Sequence, residues 1–120
     1  MKKTFRFLEF KVYKDAKLFY QKVVIITKDF TKQYWELGDQ LRRSALSVVL
    51  NIAEGAGKDS DKEFNRYLNN SLGSINESAA AVDVAYDEKL ISPSEKVKLL
   101  DSAKQIADQL GGFSKKLRMR

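Results

Sequence analysis

The sequence predicts an all-α protein, an antiparallel up-down-up-down four-helix bundle. Four segments place apolar residues every three or four positions, and none alternates with period two for long. One proline and six glycines leave few interruptions. The stretches between the periodic segments are short, which sets neighbouring helices antiparallel. With 120 residues, 43% of them hydrophobic and 32% charged, the chain reads as one globular domain spanning 1–120.

In the first helix Val12, Ala16, Phe19, Val23, Ile26 and Phe30 step by threes and fours along one seam. Tyr13, Tyr20 and Val24 form a second apolar strip, wider than one bundle contact needs. The second helix is expected over Leu37–Gly55, with Leu37, Leu41, Ala45, Val48 and Ile52 as its core stripe. Leu46, Val49, Leu50 and Ala53 carry apolar surface well round this helix, so it should be nearly surrounded, within the monomer or by a neighbouring subunit. The third helix, Asp61–Tyr86, carries Phe64, Leu68, Ser71, Ile75, Ser78, Val82 and Ala85. The fourth, Pro93–Leu117, carries Val97, Leu100, Ala103, Ile106, Leu110, Phe113 and Leu117.

The boundaries have their own chemistry. Ser60-Asp-Lys-Glu63 and Ser92-Pro-Ser-Glu95 read as capping boxes, the second with proline where its missing N–H costs nothing. Gly55-Ala-Gly57 is expected to close the second helix in a left-handed conformation. Gly73, inside the third helix, costs about 1 kcal/mol relative to alanine. Close approach of another helix is the expected reason, given Ser71, Ser74 and Ser78 nearby.

A net charge of +6 is unevenly spread. Residues 1–58 hold 12 Lys/Arg against 6 Asp/Glu, residues 59–114 hold 6 against 10, and the tail Lys115–Arg120 is basic again. This pattern fits a polyanion footprint, although ordinary solubility charge would look similar. The candidate phosphate contacts are Lys11, Lys14, Lys17, Lys22, Arg42, Lys115, Lys116, Arg118 and Arg120. No exposed aromatic stacking face is evident, which argues against sequence-specific readout. The opening Met1–Leu8 begins like a signal peptide but lacks the apolar stretch and cleavage site, so a cytoplasmic protein is expected. The longest uncharged run, Ser44–Ala53, is far too short to span a bilayer.

Catalysis has little to work with. There is no histidine and no cysteine, which removes the usual neutral-pH base, thiolate ligands and Ser-His or Cys-His nucleophiles. A bundle di-iron site needs Glu-x-x-His pairs, which cannot exist here. Glu54 and Glu77 could form an acid–base pair, but helix-to-helix salt bridges are the commoner outcome. No cofactor, metal or small-molecule substrate is expected.

A polar stripe crosses the second and third helices. Gln40, Arg43, Ser44, Ser47, Asn51 and Glu54 share one arc, and Arg66, Asn70, Ser74 and Glu77 another. A turn centred near Lys58 would set Glu77 opposite Gln40 and Arg43, Asn70 near Ser47, and Arg66 near Asn51 and Glu54. The expected role of Gln40, Arg43, Ser47, Asn51, Glu54, Arg66, Asn70 and Glu77 is a structural network that fixes register. The competing role is a recognition surface for RNA phosphates.

The same residues carry a resemblance. Gln40-Leu-Arg-Arg-Ser-Ala45, Ser47, Asn51-Ile-Ala-Glu-Gly55-Ala-Gly57-Lys58, Glu63-Phe64, Leu68 and Gly73-Ser74-x-x-Glu77 resemble a four-helix-bundle family whose founding members are encoded within intervening sequences of bacterial 23S ribosomal RNA genes. The opening from Phe7 through Val12-Tyr13 to Ala16 is similar to that family's first helix. The resemblance implies an up-down bundle assembled as a ring-like homo-oligomer, a pentamer. It also points to the accessory proteins of diversity-generating retroelements, basic bundles that associate with nucleic acid and a reverse transcriptase. It implies no defined biochemical activity. Lys58 stands where the family more often has arginine, and Ala85–Ile91 lacks the glycine that often precedes the fourth helix. Two functions follow as expectations: an oligomeric RNA- or ribonucleoprotein-associated module, or a protein-interaction scaffold without nucleic acid.

Overall fold

Four helices run α1 (Lys11–Thr27), α2 (Trp35–Ala56), α3 (Asp61–Asp87) and α4 (Pro93–Arg118). Short 3-10 turns, Arg6–Glu9 and Lys32–Tyr34, lead into α1 and α2. The structure is a computed structural model describing residues 4–120; Met1–Lys3, the start of the opening read for a signal peptide, lie outside the described residues.

Each helix packs only on its neighbours in a closed square: α1 on α2, α2 on α3, α3 on α4 and α4 on α1. Side-chain ties give the directions. Ser44 meets Ser78 while Ser47 meets Ser74, so α2 and α3 are antiparallel. Asp83 meets Lys96 while Asp61 meets Arg120, so α3 and α4 are antiparallel. Gln109 reaches Asp15 while Lys22 reaches Ser102, which sets α4 against α1. The up-down-up-down rod measures 48 × 21 × 20 Å.

The seams of α1, α2 and α3 are buried nearly as the spacing predicts, and all seven seam positions of α3 are buried. Ile26, Leu37, Leu100 and Phe113 are only half-buried, and two positions differ more. Phe30 is buried but lies beyond the end of α1, where Thr27 completes the seam by donating its hydroxyl to the Val23 carbonyl at 2.8 Å. In the first turns of α4 the core residue is Leu99, 2% exposed, while Val97 stands 64% exposed. Four residues before Ala103 the stripe reaches Leu99, which leaves Val97 on the outer face.

The caps are asymmetric. At Ser92 both halves of the capping box form. At Ser60 only half does: its hydroxyl accepts from the Glu63 N–H at 3.1 Å, but the Glu63 carboxylate turns to Arg66 at 3.1 and 3.2 Å. The Arg66 guanidinium also holds the Glu63 carboxyl below its usual pKa. A guanidinium partner is a stronger draw than the single backbone N–H that a capping glutamate would take.

The glycines depart from expectation. Gly57 closes α2 at φ −89°, an ordinary right-handed angle, and no glycine among the described residues has positive φ. The helix closed by a left-handed residue is instead α3, at Lys89 with φ 62°. There Leu90 N–H reaches the Ala85 carbonyl at 2.9 Å and Lys89 N–H reaches Tyr86 at 2.9 Å, a Schellman closure. Gly55 is a contact glycine: a Cβ would sit 2.6 Å from the Tyr67 Cβ of α3. A Cβ at Gly73, expected to be the close approach, would meet nothing within 4 Å.

Candidate nucleic-acid interface

The polar stripe resolves into a hydrogen-bonded seam with charged residues outside it. Ser44 and Ser78 pair at 2.7 Å, Ser47 and Ser74 at 2.9 Å, and Ser71 donates to the Val48 carbonyl at 2.9 Å. Asn51 donates back to the Ser47 carbonyl and hydroxyl. Gln40 donates to Glu77, as the spacing predicts. Among the described residues no buried side-chain polar atom lacks a partner, the condition for such a seam to be stabilising.

The expected ion pairs do not form. Arg43 pairs with Asp39 at 3.1 Å, one turn back on its own helix, and Arg66 pairs with Glu63 rather than Glu54. Ser47 faces Ser74, not Asn70. The Ser44–Ser78 and Ser47–Ser74 pairs centre the α2–α3 crossing near residue 60 rather than Lys58, which still leaves Arg43 level with Glu77 and Arg66 level with Glu54. All four side chains are exposed, and each arginine takes the acid one turn away on its own helix instead. Glu54 and Asn70 are exposed and take no part in the network.

Most of the candidate cations gather at one end of the rod. The start of α1, the end of α2, the start of α3 and the end of α4 meet there, closed by an aromatic cluster. The Phe10 and Phe64 rings lie 5.2 and 5.0 Å from Phe113. Lys11, Lys14, Lys17, Lys115, Lys116, Arg118 and Arg120 are all exposed around this end. Part of their charge is compensated. Lys11 binds Asp15 at 2.7 Å, Lys14 lies 3.9 Å from Glu9, and Arg120 grips Asp61 through two bonds of 2.7 and 2.9 Å. Lys115, Lys116 and Arg118 form no ion pair among the described residues. They also face the carbonyl end of α4, where cations are favoured.

Two candidates lie elsewhere. Lys22 sits in the second half of α1 and reaches Ser102 at 3.4 Å. Arg42 is half-buried near the opposite end, 3.9 Å from Asp39. They do not join the basic cluster, because α1 and α2 carry them along the rod rather than to its tip.

Three further cations stand at the same end: sequence reasoning missed Arg6, named Lys58 only within the family resemblance, and placed Arg66 in the polar stripe. Arg6 donates to the Ala56 carbonyl at 3.2 and 3.3 Å and lies over the Phe64 and Phe10 rings, at 5.2 and 5.6 Å. It closes the C-terminus of α2 with a positive charge. Lys58 and Arg66 lie over Tyr67, at 5.1 and 4.7 Å from its ring centre. Only the α2–α3 register brings Lys58 to that ring.

These features define a class: an antiparallel helical bundle whose basic residues collect at one tip, with no three metal-ligating side chains grouped among the described residues. The chain belongs to the 23S rRNA-intervening sequence protein family, whose family model matches residues 8–112. A crystal structure from Bacteroides thetaiotaomicron, of a protein of unknown function from the S23 ribosomal protein family, shares the fold. It is 21% identical, with a TM-score of 0.78 over 87% of this chain and 98% of that one. Among curated proteins nothing matches the chain. No described helix is long and apolar enough to cross a membrane.

Proposed function

We propose that this protein is a non-catalytic, cytoplasmic binding module that works as a homo-oligomer, with a pentamer as the implied ring. In this reading it associates with RNA or a ribonucleoprotein through its basic tip. The observation that carries the reading is the convergence of Lys11, Lys14, Lys115, Lys116 and Arg118 from the two ends of the fold onto one exposed end. Phosphate contacts from such a cluster position RNA without reading its bases. The family's connection with ribosomal RNA genes agrees with it.

Charge reversal at the two ends tests it. Lys115→Glu with Lys116→Glu should weaken binding of a labelled ribosomal RNA fragment at least tenfold, whereas Lys28→Glu with Lys98→Glu at the other end should leave it near wild type. Equal losses from both pairs would remove the tip from the account.

A second reading, a protein scaffold without nucleic acid, is favoured by one observation. Leu46 and Leu50 on α2 remain 37% and 55% exposed, with Tyr13, Tyr20 and Val24 of α1 only half-buried. Apolar surface of this kind marks interfaces. Light scattering separates the readings: a multimer indifferent to RNA would leave the scaffold standing.

A further inference from the structure

A cleft of about 420 Å³ lies between the start of α1 and the last turns of α4, at the basic tip. Phe10, Val12 and Phe113 form its apolar wall, and Lys11 and Lys116 stand at its rim. Phe10 and Phe113 are half-buried and meet edge to face at 66°. Part of each ring therefore stays open to an incoming flat group. Gln109 and Gly112 complete the lining.

Gly112 and its neighbour Gly111 need an explanation. Both lie inside α4, where glycine costs about 1 kcal/mol relative to alanine. A Cβ at either position would meet nothing within 4 Å, so packing within this chain does not require them. At Gly112 the missing side chain leaves bare helix backbone as one wall of the cleft. A planar group could lie against that backbone and against Phe113 together.

We propose that this cleft is a subsite for one unstacked RNA base, with the adjoining phosphate held by Lys116 and Lys11. This rests on the RNA reading and deepens it, from a phosphate-tracking surface to a single-strand binder with a base seat. The charges fit: Lys116 has no partner among the described residues. Lys11 is tied to Asp15, whose carboxylate also accepts from Gln109, so the acid in the neighbourhood is already neutralised and turned toward α1 and α4. Base stacking on aromatic side chains tolerates any base, which agrees with a cleft whose one amide side chain, Gln109, is already donating to Asp15.

The test compares labelled oligouridylate with an abasic oligoribonucleotide of the same length, which keeps the phosphates and lacks the bases. Wild type should bind oligouridylate on the order of tenfold more tightly. Gly112→Leu, which fills the cleft, should lower oligouridylate binding to the abasic level and leave the salt dependence unchanged. Gly111→Leu makes the same change in helix chemistry outside the cleft and should keep the preference. Helical content and melting temperature confirm that both variants fold. Equal affinity for the two oligonucleotides in wild type overturns the base seat while leaving the phosphate reading intact. A preference that survives Gly112→Leu overturns it as well. Binding to neither oligonucleotide at low salt removes the RNA reading and this subsite together.

Discussion

At Gly55 α2 and α3 come close enough to exclude a methyl group, because a Cβ there would also stand 3.0 Å from the Phe64 ring. Gly55→Ala should therefore lower stability by about 1–3 kcal/mol, the usual cost of overpacking. The denaturant midpoint reads this, and an unchanged midpoint would show that the crossing can open without strain. Gly73→Ala should act in the opposite direction, adding up to about 1 kcal/mol by helix propensity alone. Lys89→Gly should add about 1 kcal/mol, since it relieves a lysine of its left-handed backbone. Loss of stability in either variant would contradict these assignments. The sequence shows which residues are glycine but not which face of α3 meets α2. Without that face, Gly73 among its serines looks like the contact and Gly55 looks like a stop.

The helices themselves were the most legible level. All of α3's seam and most of the seams of α1 and α2 follow from spacing, because a continuous apolar stripe has only one way to face a core. The ends of the seams were less so: Phe30 reaches the core from a loop, and Leu99 displaces Val97. Between α1 and α4 the tie is polar, with Asp15 bridging Lys11 and Gln109. The Lys11 ammonium, and after it the Gln109 amide, hold the Asp15 carboxyl below its usual range. A carboxyl with a lowered folded-state pKa stabilises fully above its unfolded value, near about pH 4, and loses that contribution as pH falls through the lowered value. Asp15→Asn should flatten this part of the acid limb of the stability curve. Parallel acid limbs in the two proteins would mean that the tie contributes nothing.

Across the whole molecule, antiparallel topology turns a charge pattern that is scattered in sequence into one that is gathered in space. Lys11 and Lys116 are far apart along the chain, yet they rim the same cleft. This much could be inferred from a basic opening and a basic tail on an up-down bundle. The exclusion of Lys22 and Arg42 could not, because it depends on how far along the rod each residue sits. The partners chosen by Arg43 and Arg66 are the acids one turn away on their own helices, although a crossing centred near residue 60 sets each level with its expected partner. Short-range acids one turn away compete for exposed arginines, and α2 and α3 each supply one.

The most direct test of the central claim is the affinity of the wild-type protein for labelled single-stranded RNA across a salt series. Five tip cations acting on phosphates predict a logarithmic slope of about −3 to −4, from about 0.7 per phosphate neutralised. A slope of that size would support the basic tip as an RNA-binding surface. No detectable binding at low salt, or binding indifferent to salt, would contradict it.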